Sequence, residues 1–137
     1  MVSAGYSGTP LARKLGLKPG MRAHVVAAPE HFVALLGELP DGVRVLARPA
    51  APLDLVMLFV TSRSQLERRL SVLHTKLRQD GMVWVAWPQR ASKVATDMTV
   101  DVGRDVSLPR GLVDVKVCAI DETWSGLKLV IRRELRT

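Results

Sequence analysis

The chain has one cysteine, Cys118, in 137 residues, and it falls inside an alternating apolar run. No disulfide can form within the chain, so a disulfide-stapled fold is excluded and a reducing, cytoplasmic setting is expected. Aromatic residues make up only 4% of the chain, which leaves little for the base-stacking surfaces that sequence-specific RNA recognition uses. No apolar stretch reaches the roughly 18 residues that cross a bilayer. The first residues, Met1-Val2-Ser3-Ala4-Gly5-Tyr6, lack the basic-then-apolar order of a secretion signal, so neither membrane insertion nor export is expected. The three histidines, His24, His31 and His74, are scattered and no second cysteine exists, so no metal-ligand spacing is present. Gly5-Tyr6-Ser7-Gly8 is not a nucleophile elbow, because it precedes every predicted strand and reads as a capping turn.

What remains is an ordinary globular composition with a charge bias. Hydrophobic residues are 47% and charged residues 24% of the total, enough for one self-sufficient core spanning residues 1–137. Twenty Lys+Arg against 13 Asp+Glu leave a formal charge of +7, which favours anionic ligands, acidic protein partners or nucleic acid. Thr9-Pro10 predicts the start of a short helix over Leu11–Leu15. Ala23–Ala28 reads as a first strand, and Phe32, Leu35, Leu36 and Leu39 recur at helical spacing until Pro40-Asp41-Gly42. Val43–Ala47 is a second strand. Leu53–Val60 is apolar at nearly every position, the pattern of a strand covered on both faces. Ser62 with Gln65 forms a capping box, and the stripe Leu66, Leu70, Leu73, Leu77 predicts a helix that closes at Gly81. Met82–Trp87 is a further buried strand, and Thr96–Leu108 a weaker helix that contains Gly103. Two alternating runs, from Val113 to Ala119 and from Leu127 to Arg133, flank Asp121–Gly126 as a hairpin, with Cys118 a small core residue. The order predicts an α/β fold: a mostly parallel Rossmann-like sheet, helices on both faces, and a C-terminal antiparallel hairpin.

That ending resembles the class I methyltransferase fold, with Leu53-Asp54-Leu55-Val56 through the long helix to Gln79-Asp80-Gly81-Met82-Val83 matching its second half. More narrowly, Tyr6-Ser7-Gly8-Thr9-Pro10-Leu11, Val85-Ala86-Trp87-Pro88, Ala95-Thr96-Asp97 and Leu112-Val113-Asp114 to Trp124-Ser125-Gly126 are similar to a small bacterial family of domains of unknown function. Its pattern places a lysine after the Trp-Pro pair where this chain has Gln89. The methyltransferase resemblance implies a glycine-rich cofactor turn after the first strand and an acidic residue closing the second. Here the first turn is Ala27-Ala28-Pro29-Glu30-His31 and the second strand ends in Ala47-Arg48-Pro49. Both elements are missing, so no cofactor and no catalytic residue are predicted.

A site is predicted from position instead. Ligands of open α/β sheets bind beyond the carboxyl ends of the strands. There the sequence places Arg48, then Thr61-Ser62-Arg63, then Trp87-Pro88 with Arg90, Ser92, Lys93, Thr96 and Asp97, while Asp41, Asp54 and Asp80 fall at the opposite edge. Helix N-termini at Ser62 and near Thr96 add backbone donors, and Arg63 and Lys93 are expected to share one anion. Pro29, Glu30 and His31 lie at the same edge, where an acid/His pair reads first as helix-terminus electrostatics, and Trp124 either walls the cleft or caps the core. The expectation is a non-catalytic methyltransferase-like domain that binds an anionic small molecule or an acidic protein partner. Its rivals are a divergent S-adenosylmethionine-dependent methyltransferase and a nucleic-acid-binding module.

Overall fold

In the computed structural model, which describes residues 10–137, six strands form one mixed sheet. In chain order they are β1 (Arg22–Val26), β2 (Arg44–Leu46), β3 (Leu53–Phe59), β4 (Leu77–Pro88), β5 (Leu112–Ala119) and β6 (Trp124–Ile131). Across the sheet they run β2-β1-β3-β4-β6-β5. The first four are mutually parallel, and β6 and β5 close the sheet antiparallel. Helices α1 (Leu11–Lys14) and α2 (Phe32–Leu36) pack on one face, α3 (Arg63–Leu73) and α4 (Val100–Ser107) on the other. The expected cap Thr9 and the capping turn expected at Gly5-Tyr6-Ser7-Gly8 lie outside the described residues. None of the described helices is long and apolar enough to cross a membrane.

The unbroken apolar runs of β3 and β4 follow from this layering, since alternate residues must satisfy two different cores. Val56, Leu58, Val83, Val85 and Trp87 meet Leu66, Leu70 and Leu73 of α3 and Val106 of α4. Leu55, Met57, Phe59, Met82, Trp84 and Ala86 meet Leu11, Leu15, Phe32 and Leu36. Each valine, leucine, phenylalanine or methionine side chain among them, fully buried, contributes roughly 1.5–3 kcal/mol. Trp84 carries the one polar atom of that central stack, and its indole N–H donates to the Leu15 carbonyl at 2.9 Å, so the ring is buried without an unpaired donor. Cys118 packs half-buried against the second layer.

Several boundaries differ from those predicted. The helix begun at Ser62 ends at Leu73 and passes through a 3₁₀ turn over His74–Lys76. Leu77 therefore opens β4 instead of continuing the helix, and Gly81 lies inside that strand. The apolar stripe could not reveal this, because Leu77 enters the same core layer from either element. His74 is half-buried and donates from Nδ1 to the Leu70 carbonyl at 2.7 Å. The chain needs the extra residues of β4 for its entry into the sheet. Leu53 pairs with Leu77 but Leu55 with Met82, so Asp54 alone faces residues 78–81. The helix predicted over Thr96–Leu108 starts later, at Val100, capped by Thr99 Oγ1, which accepts from Val102 N–H at 3.1 Å. Helix α2 stops at Gly37, whose φ of +72° ends the turn. Trp124 opens β6 instead of lying in the hairpin loop.

A candidate ligand site at the carboxyl edge

The carboxyl ends of β1, β3 and β4 open on one edge, joined there by the turn between β5 and β6. Pro88 is the last residue of β4 to pair, opposite Trp124, and having no N–H to donate it ends the ladder. Gln89 then ties the strand end to the hairpin turn. Its backbone N–H donates to the Thr123 carbonyl at 2.8 Å, and Nε2 donates to the carbonyls of Asp121 at 3.1 Å and Glu122 at 2.7 Å. The chain from Arg90 to Thr99 is thus led out of the sheet from a fixed point. A 3₁₀ turn over Arg90–Ser92 is closed by Lys93 in the left-handed conformation, φ +62°.

Under this loop lies a cleft of about 530 Å³, walled by residues 87–90 and 93–100 and by Ser125. Six of the sequence-predicted residues line it: Trp87, Pro88, Arg90, Lys93, Thr96 and Asp97. Arg90 and Lys93 are exposed, and neither has a carboxylate within ion-pairing distance among the described residues. Sequence reasoning missed Gln89, Val94, Ala95, Met98, Thr99, Val100 and Ser125. The spacing of Val94, Met98 and Val100 carries no period that marks a cleft wall.

Several of the predicted residues serve the scaffold, Thr96 and Asp97 of the cleft wall among them. The N-terminus of α3, expected to offer free donors, is occupied by the chain's own carboxylate: Asp97 Oδ1 accepts from Arg63 N–H at 2.7 Å. Ser62 Oγ accepts from Gln65 N–H at 3.2 Å, and Gln65 Oε1 in turn accepts from Thr61 N–H at 2.8 Å, so the capping box closes one residue further back than its usual form. Thr96 Oγ1 donates to the Thr61 carbonyl at 2.6 Å, and Ser92 Oγ to the Gln89 carbonyl at 2.7 Å. The Arg63 guanidinium faces Glu67 at 3.4 Å and Asp105 at 3.6 Å. These partners lie on α3 and α4 and Arg63 is not among the residues lining the cleft, so of the expected pair Arg63 and Lys93 only Lys93 stands on its wall, beside Arg90. Arg48 is exposed beyond β2, three strand positions from β4 and hence about 14 Å along the edge.

Across the α2 side of the edge, His31 Nε2 and Asp121 Oδ2 are 2.7 Å apart, although ninety residues separate them and neither is near the other in pattern. Asp121 Oδ1 also accepts from Thr123 and Trp124 N–H, both at 2.8 Å, so one carboxylate shapes the hairpin turn and binds it to the start of α2. Beneath it Phe32, Phe59 and Trp124 form a row of edge-to-face rings, each neighbouring pair 5.0 Å between centroids. Trp124 therefore covers the core edge and does not line the cleft. Glu30 and Pro29 lie in the turn after β1, outside the cleft wall. In that turn Ala27 holds φ +58°, a conformation that costs a residue with a Cβ roughly 1–2 kcal/mol and that glycine adopts freely.

No protein-family model matches the chain, and no curated protein matches it. Solved structures do. An S-adenosylmethionine-dependent methyltransferase from Aquifex aeolicus superposes with a TM-score of 0.59 over 87% of this chain and 87% of its own, at 15% identity. Ribosomal protein L11 methylase from Lactobacillus delbrueckii subsp. bulgaricus gives 0.56 over 90% and 76%, at 13% identity. Fibrillarin from Aeropyrum pernix, solved with S-adenosyl-L-methionine, gives 0.56 over 88% and 73%, at 15% identity. The chain has the methyltransferase-like α/β fold of these proteins. At such identities the likeness is one of fold, and fold alone does not carry activity.

Proposed function

We propose that the domain binds a small anionic ligand, or the acidic group of a protein partner, in the cleft under the Arg90–Thr99 loop, and that it does so without methyl transfer. The observation that carries this reading is the contrast between cations. Arg63 is ion-paired with Glu67 and Asp105, whereas Arg90 and Lys93 stand on the wall of a roughly 530 Å³ cleft with no ion-pair partner among the described residues. That volume lies in the range of small-molecule sites, about 300–1,000 Å³.

The residues at the positions where a class I methyltransferase holds S-adenosylmethionine do not fit that group. Ala27 and Ala28 stand in the turn where such proteins carry glycines that let the backbone approach the ligand, and the exposed Arg48 follows the strand that would end in a ribose-binding acid. One observation favours the rival reading of a divergent methyltransferase: Ala27 keeps the left-handed backbone that a glycine would supply at that turn.

Calorimetric titration with inorganic pyrophosphate tests the proposal. The expected result is saturable binding to the wild type that weakens by about tenfold or more in R90E/K93E, as loss of charge-assisted hydrogen bonds implies, and that is unchanged in R63E. Equal binding to the wild type and R90E/K93E would remove the cleft from consideration.

A further inference from the structure

The cleft wall carries more chemistry than an inorganic anion would use. This inference rests on the anion-binding reading above and concerns what the anion is attached to. Beside Arg90 and Lys93 the wall includes the apolar Trp87, Pro88, Val94 and Met98 along with the polar Gln89, Thr96, Thr99 and Ser125. Trp87 and Met98 are nearly buried, but Val94 remains 47% exposed. Further along the same wall stands Asp97. Its Oδ1 is committed to Arg63 N–H at 2.7 Å, while Oδ2 has no partner among the described residues and can only accept.

Cations, an apolar surface and a carboxylate oxygen thus share one cleft, and each constrains the ligand. The cations call for a compact anion, the apolar wall for a body with little need of water, and Asp97 for a hydrogen-bond donor on that body. An acidic peptide would satisfy the first but bring further carboxylates against Asp97, where like charges repel. A polynucleotide would extend beyond the cleft toward the exposed Glu122. A compact phosphate ester of a planar, hydroxylated body meets all three demands within the available volume.

We infer that the cleft accommodates a ligand of the nucleoside monophosphate class, with its phosphate between Arg90 and Lys93, its planar ring against Val94 and the Trp87-Pro88 end of β4, and a ribose hydroxyl donating to Asp97 Oδ2. The test compares the four ribonucleoside monophosphates with ribose 5-phosphate, the free nucleosides, inorganic phosphate and pyrophosphate by calorimetry and by chemical-shift perturbation. At least one monophosphate is expected to bind about tenfold tighter than ribose 5-phosphate or its own nucleoside. V94S, at an exposed position, should weaken that monophosphate by about threefold or more through lost apolar burial, and should leave ribose 5-phosphate unchanged. D97N keeps the oxygen that caps α3, so it should lower monophosphate affinity with the melting temperature preserved. If pyrophosphate, ribose 5-phosphate and the monophosphates all bind alike, or V94S and D97N change nothing, the ligand class falls and the anion site stands. If no phosphate compound binds, pyrophosphate included, both fall together.

Discussion

At the scale of single residues, Gly81 and Asp97 show how little room the structure leaves for substitution. A Cβ built on Gly81 would stand 2.8 Å from Leu77 Cγ, 2.9 Å from its Cδ1 and 3.0 Å from the Leu53 carbonyl oxygen. The leucine could turn aside, but the carbonyl belongs to the neighbouring strand and cannot. G81A is therefore expected to destabilise the fold by about 1–3 kcal/mol, the usual cost of overpacking a well-filled site. Denaturant unfolding measures it, and an unchanged midpoint would mean that the irregular entry of β4 relaxes freely. Asp97 carries a different kind of constraint. Removing its carboxylate in D97A leaves Arg63 N–H without its partner, and the expected loss is about 1 kcal/mol, as for other helix caps. D97N should recover most of that loss because its amide oxygen still accepts. If D97A unfolds at the wild-type midpoint, Asp97 is not holding the helix start.

At the scale of elements, the sequence was most legible where one physical demand acted on consecutive residues. The run Leu53–Val60 announced a doubly covered strand because both of its faces are buried, and Ser62 with Gln65 announced a helix start because capping chemistry is local. It was least legible where two elements place a side chain in the same layer. Leu77 fits the helical stripe of α3 and the first position of β4 equally well, so periodicity alone misassigned the boundary. Partnerships over long separations were also hidden. Nothing around His31 or Asp121 signals that they meet, and nothing around Arg63 signals that its guanidinium turns toward Asp105. Half of the candidate site was readable for the same reason: Trp87-Pro88 and the polar loop after it are contiguous, whereas Ser125 reaches the cleft only through antiparallel pairing of β4 with β6, with Trp87 opposite it.

At the scale of the whole molecule, the formal charge of +7 separates the remaining readings. A nucleic-acid module that neutralises several phosphates would lose oligonucleotide affinity steeply with salt, by about 0.9 in log K per phosphate contact on duplex DNA. The expectation here is weak binding with a shallow slope, since the free cations of the cleft are two and the turn beside them is acidic. A slope equivalent to six or more contacts would instead favour nucleic acid, on the scale typical of such proteins. Millimolar S-adenosylmethionine is expected to leave the melting temperature unchanged; a saturable rise, which mass action requires of any tight ligand of the folded state, would restore the methyltransferase reading. The two outer strands bear on behaviour at high concentration. β2 is only three residues long, and β5 carries an extra residue where its register with β6 slips between Asp114 and Lys116. A short strand at one border and a kinked, lysine-bearing strand at the other are poor templates for edge-to-edge growth. Deleting Val115 would regularise that ladder and leave a straighter border still rich in valine. Concentrated solutions of the deletion variant should then scatter light and bind amyloid dyes under conditions in which the parent chain stays clear.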